Sequence, residues 1–139
     1  MPRSRPFARF KIDPSTLPVP AIIRRSINKH VALAINEVMS GVFAKSQELV
    51  PVDTGALKAS GVFIPAKSVM ANYEKPQAYI NYGNADVDYA LYVHENLEAR
   101  HEAPTQAKFL ETPLAQSEAK LMEAIKKATI KGALMGWKH

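Results

Sequence analysis

Residues able to act as acids, bases or nucleophiles gather in two short segments of this chain. In the first, Val50-Pro51-Val52-Asp53-Thr54-Gly55, a carboxylate stands beside a hydroxyl. That pairing serves acid-base or nucleophilic chemistry when a histidine and an orienting group complete it. No histidine pattern of that kind accompanies Asp53 and Thr54. The structural reading is stronger: Pro51 ends a helix, Asp53 offers a side-chain oxygen to cap the following amides, and Gly55 permits a tight turn. Pro51, Asp53, Thr54 and Gly55 are therefore expected to form a structural turn, with no catalytic residue among them.

The second segment holds His94, Glu95, Glu98, His101 and Glu102, the one metal-like cluster in the sequence. A helical zinc site needs a second histidine four residues after the first, and position 98 is glutamate. A solvated polar loop is the expectation, with no metal and no cofactor. A third group, Arg3, Arg5, Phe7, Arg9 and Phe10, continued by Arg24 and Arg25, has the makings of a contact surface. Such residues can grip phosphates and stack on bases, or anchor an arm on a neighbouring subunit. Protein contact is preferred, because arginine and aromatic side chains are the usual interface anchors. Tyr79, Tyr82, Tyr89 and Tyr92 are expected in the core and on the sheet.

The elements that must position these groups follow from periodicity. Pro2, Pro6, Pro14, Pro18 and Pro20 prevent a helix in residues 1–20, which read as an extended basic arm. From Ala21 to Leu49, Ile23, Ile27, Val31, Ile35, Val38 and Val42 recur every three or four positions, with Arg24, Asn28, Glu37 and Gln47 turned away. This predicts one long amphipathic helix, about 40 Å at 1.5 Å per residue. Residues 61–66, 69–73 and 77–82 are rich in Val, Ile, Phe and Tyr and separated by turn formers, which predicts a three-stranded antiparallel meander. Asp88 is placed to cap a short helix at 89–94, residues 96–106 read as an exposed loop, and Thr112-Pro113 opens a second helix reaching about Ile130. Gly132 and Gly136 bracket a tail, residues 132–139. The prediction is an α+β domain over residues 21–131, with two helices packed on a small antiparallel sheet.

A chain of 139 residues, 47% hydrophobic and 22% charged, accommodates one compact domain and lies far from disordered compositions. The absence of cysteine excludes disulfides, thiolate metal sites and a cysteine nucleophile. No apolar run approaches the roughly 20 residues that span a bilayer, and no signal peptide is visible, so the cytoplasm is the expected place of synthesis and no membrane partner is expected. Charge is polarised: residues 1–29 carry Arg3, Arg5, Arg9, Lys11, Arg24, Arg25 and Lys29 against Asp13 alone, whereas residues 74–123 hold nine carboxylates against four cations. Copies of such a chain can pair head to tail.

Three segments, in order, carry a resemblance. Leu49-Val50-Pro51-Val52-Asp53-Thr54-Gly55-Ala56-Leu57-Lys58-Ala59-Ser60 resembles the signature of the neck, or tail-completion, family of minor structural proteins from tailed bacteriophages. There a long helix ends in a small-Pro-hydrophobic-Asp-Thr-Gly turn, followed by a leucine, a basic residue and a serine. Tyr89-Ala90-Leu91-Tyr92-Val93-His94-Glu95 is similar to the family's Tyr-Ala-x-Tyr-Val-Glu helix, with the acid displaced by one position. Phe109-Leu110 with Pro113-Leu114 is similar to its Pro-Phe-Leu approach to the last helix. Asn96 departs from the family's glycine, and Lys108 from its proline. The resemblance implies a non-enzymatic subunit of the virion's head-tail junction. Such a subunit forms a homo-oligomeric ring between a connector or adaptor and a tail terminator or tail tube, with DNA in the lumen. The alternative from the residues alone is a small basic nucleic-acid-binding protein using its first 29 residues.

Overall fold

A computed structural model describes residues 20–67 and 75–137. The expected arm and the expected strand at 69–73 lie outside the described residues. The elements are α1 (Ala21–Leu49), α2 (Ala56–Ala59), β1 (Val62–Ile64), β2 (Tyr79–Asn81), α3 (Ala90–Glu95) and α4 (Glu111–Trp137). The architecture is α+β, with two long helices and a small antiparallel sheet packed together.

Helix α1 has the expected bounds, since its apolar spacing is unbroken and Pro51 cannot donate the amide that would continue it. Helix α4 differs from expectation at both ends. It opens at Glu111, so Pro113 falls in the first turn, where its missing N–H has no intrahelical partner to lose. It also runs to Trp137, so residues 132–137, expected as tail, are helical. The two glycines are the reason. Ala128, Gly132 and Gly136 recur every fourth residue and are buried where α4 crosses the start of α1. A Cβ built on Gly132 would lie 2.5 Å from the Ile27 Cα, and one on Gly136 2.8 Å from the Ile23 Cα. These glycines permit backbone contact between helices and do not end one. At the other end the Gln106 amide donates to the Leu49 carbonyl at 2.8 Å. The helices therefore form an antiparallel hairpin.

In the sheet, Val62 pairs with Asn81, Phe63 with Ile80 and Ile64 with Tyr79. Strand alternation turns Phe63 and Ile80 inward and leaves Val62, Ile64 and Tyr79 exposed. Phe43 of α1 stacks on Phe63 with ring centroids 6.2 Å apart. The Asn36 side chain clasps the chain beyond β1, donating to the Ala66 carbonyl at 2.8 Å and accepting from its amide at 2.7 Å. The core proper is Leu49, Val50, Leu57, Val87 and Phe109, with Tyr82, Ala90, Val93 and Leu110 packed against it. Segments from five parts of the chain thus meet where α1 ends.

Two expectations about α1 are corrected. Gln47, expected to face solvent, points inward and donates to the Tyr82 hydroxyl at 3.0 Å and the Lys58 carbonyl at 3.2 Å. Arg24 and Asn28 are half-buried for the same reason: the stripe α1 buries is wider than its aliphatic positions.

Candidate functional site

The two chemistry-bearing segments meet. The 51–57 turn, α3 and the 99–105 loop wall a groove of about 830 Å³. Val52, Leu57, Tyr89, Tyr92 and Val93 give it an apolar side, while Asp53, Arg100 and Glu102 supply charge.

The turn is built from its backbone. Gly55 takes a positive φ of 84°, which an L side chain adopts only with strain, and so reverses the chain into α2. The expected capping carboxylate is not what holds it. Thr54 Oγ1 accepts the Ala56 amide at 3.3 Å, while Asp53 is exposed and its carboxylate takes no hydrogen bond among the described residues. The chain beyond α2 is fixed by Ser60, whose hydroxyl donates to the Leu57 carbonyl at 2.6 Å and accepts the Gly83 amide at 2.9 Å.

Helix α3 likewise lacks its expected cap. Tyr89 precedes its first turn and Asp88 makes no capping bond. Instead Asn84 orders the approach, its side-chain oxygen accepting the Asp86 and Val87 amides at 2.9 Å each. What orients α3 is His94, whose ring packs edge-on against Phe109 with centroids 5.0 Å apart. Phe109 packs edge-on against Tyr82 at 5.1 Å, and Tyr82 lies 6.2 Å from Phe43. A continuous row of rings thus runs from the sheet through α1 to α3. Of the four tyrosines expected inside, only Tyr82 enters this row; Tyr79 is exposed on the outer face of β2, and Tyr89 and Tyr92 are exposed along the open groove.

His94, Glu95 and Glu111 place three metal-competent ligand atoms within 4.8 Å of one another. Both ring nitrogens of His94 and at least one oxygen of each carboxylate are already hydrogen-bonded or ion-paired. His94 Nε2 accepts the Glu111 amide at 3.3 Å, which leaves the proton on Nδ1 to donate to Glu95 at 2.8 Å. The Lys108 ammonium bridges Glu95 and Glu111. Hydrogen bonds from Lys108 and then His94 hold the Glu95 carboxyl below its ordinary value, and those to Glu95 and Glu111 raise the Lys108 ammonium. Lys108 thus supplies a cation to both carboxylates of the cluster. The expected partners Glu98 and Glu102 lie apart from this group, exposed, and His101 lines the groove with an Nε2 that has no partner among the described residues.

Among the described residues, the Tyr82 hydroxyl is a partly buried group whose titration is clearly displaced. Ser46 donates to the Phe43 carbonyl at 2.7 Å, so the phenol must donate to Ser46, 2.6 Å away. Burial pushes this phenol above the ordinary tyrosine range, and the bonds to Ser46 and Gln47 oppose that only partly. It faces α1 and serves packing.

Arg24 and Arg25 lie in the first turns of α1, and both are engaged. Arg3, Arg5, Phe7, Arg9 and Phe10 lie outside the described residues. Sequence reasoning missed Tyr92, Val93 and the 99–105 loop as walls of one groove with the 51–57 turn. It also missed Lys108 as the cation that closes the His94 cluster. Comparison with protein-family models, with curated proteins and with solved structures finds no match to this chain.

Proposed function

We propose that this protein is a non-enzymatic structural subunit of a tailed-phage head-tail junction, working as a homo-oligomeric ring between a connector or adaptor and the tail. The observation that carries the reading is that the segments resembling the neck family are neighbours in space: the 49–60 turn and α3 share the core of Leu49, Leu57 and Phe109 and wall one groove. They read as one assembly surface and not as scattered coincidences of sequence.

Exposure supports assembly. Leu91 and Leu97 are each 74% exposed and Tyr92 70%, in or just after α3. Large apolar side chains left in water in such density mark a surface meant to be covered. Thr54 commits its hydroxyl oxygen to the Ala56 amide, and His101, which lines the same groove, makes no hydrogen bond to Asp53 or Thr54.

The test is direct. Mass measurement of the purified protein is expected to give a closed multimer, and imaging with phage portal and tail components is expected to place it at the junction. A chain that remains monomeric and joins no particle refutes the reading. DNA affinity that falls steeply with salt and disappears on deletion of residues 1–20 would instead make it a nucleic-acid-binding protein.

A further inference from the structure

The hairpin concentrates charge and apolar surface at its two ends. At the open end, where α1 begins and α4 finishes, residues 21–36 carry Arg24, Arg25 and Lys29, and residues 124–137 carry Lys126, Lys127 and Lys131, without a carboxylate in either stretch. These segments are about a hundred residues apart in sequence and adjacent in space. The closed end, around the groove, carries Asp53, Asp86, Asp88, Glu98 and Glu102 on its surface against Lys58 and Arg100.

Both ends also expose apolar side chains that none of the described residues covers. At 100° per residue, Ile130, Leu134 and Trp137 fall within about 60° of one another on α4. They lie opposite the buried Ala128, Gly132 and Gly136. Leu134 is 61% exposed and Trp137 77%, forming a ridge flanked by lysines. The groove at the other end is a trough with one apolar side, whose charged lining is Asp53 and Glu102 together with Arg100.

We propose that the α4 ridge of one copy seats in the groove of the next, with Trp137 against Leu57, Tyr89, Tyr92 and Val93, and Lys127 and Lys131 against Asp53 and Glu102. The occupant is a second copy because the charges decide it. Two open ends brought together would oppose Lys126, Lys127 and Lys131 to their own copies, whereas an open end meets Asp53 and Glu102 at the groove, which Arg100 offsets only in part. The contact is heterologous, so repetition closes into a ring or extends into a filament. It rests on the junction reading only for its setting.

Trp137 is the single tryptophan, so its fluorescence reports on the contact in the native chain. Emission is expected to shift to the blue as concentration rises and the multimer forms. Trp137→Ala or Tyr92→Arg is expected to weaken association at least tenfold without changing the melting temperature of the monomer. The reversal pair tests register: Lys131→Glu or Glu102→Lys alone is expected to weaken assembly, and the two together to restore most of it. A photo-crosslinker at position 137 should reach the groove of another copy. Crosslinks between two α4 ridges, or multimers unaffected by all four variants, would overturn the contact and leave the ring standing. Multimers joined by this contact but absent from virions would overturn the junction reading and leave the contact standing.

Discussion

At the scale of single residues, the glycines separate two roles that sequence treats alike. Gly41 sits inside α1 with open space where a Cβ would go, so Gly41→Ala is expected to stabilise by about 0.5–1 kcal/mol in chemical denaturation, through helix propensity alone. Gly132→Ala would drive a Cβ into the α1 backbone at Ile27 and is expected to destabilise by roughly 1–3 kcal/mol, since backbone cannot yield as a side-chain tip can. Equal effects at both positions would contradict the close crossing. Tyr82 gives the pH-dependent case. Its phenol pKa is raised in the folded state, so the stabilisation of the neutral form is complete below the ordinary tyrosine pKa of about 10 and is lost as pH rises through the folded value. Tyr82→Phe is expected to cost about 1 kcal/mol at neutral pH, where Ser46 keeps its bond to Phe43, and to flatten the alkaline limb of a stability-against-pH curve. Asp53→Ala, by contrast, is expected to stay within about 0.5 kcal/mol of the parent, because Thr54 and Gly55 hold the turn without it.

At the scale of elements, what was legible in the sequence was whatever local periodicity specifies. Helix α1 was legible to the residue because its apolar spacing and Pro51 are local signals. The two strands fall inside two of the expected segments, because alternation of Val, Ile, Phe and Tyr is also local. The C-terminal limit of α4 was not, since a glycine that breaks a helix and a glycine that admits a neighbouring backbone look identical until the neighbour is known. Caps failed similarly: Asp53 and Asp88 have the right residue type at the right spacing, but Thr54 and Asn84 do the hydrogen bonding. The groove required knowing that α3 folds back beside the 51–57 turn, a long-range fact fixed by Phe109 and His94. Asn36 supplies the element-scale prediction. Its side chain imitates a strand partner for Ala66, and Asn36→Ala would leave a buried amide and carbonyl unpaired. A loss of about 1–3 kcal/mol is expected, with amide exchange quickened first at Ala66 and β1. Uniform quickening across α4 as well would mean that the clasp does not act locally.

At the scale of the whole molecule, the polarity visible in the sequence becomes a property of the hairpin. The sequence places cations at the front and carboxylates in the middle; the antiparallel crossing adds Lys126, Lys127 and Lys131 to the cationic end, so the two ends differ more sharply than a linear count implies. A rod of about 40 Å with opposite charge at its ends is steered into end-to-groove encounters by a field that salt suppresses. Raising ionic strength from about 0.1 M to about 1 M shortens the screening length from about 10 Å to about 3 Å, less than the distance over which an approaching end could be oriented. Association followed by Trp137 fluorescence is therefore expected to slow by one to two orders of magnitude, roughly the range that steering contributes. Dissociation should change far less, because the seated ridge is held by apolar contact that salt does not weaken. The two rates discriminate between driving forces. If both were salt-independent, the charges would have no part in assembly; if dissociation accelerated as strongly as association slowed, the lysines and carboxylates, and not the Trp137 ridge, would be holding the copies together.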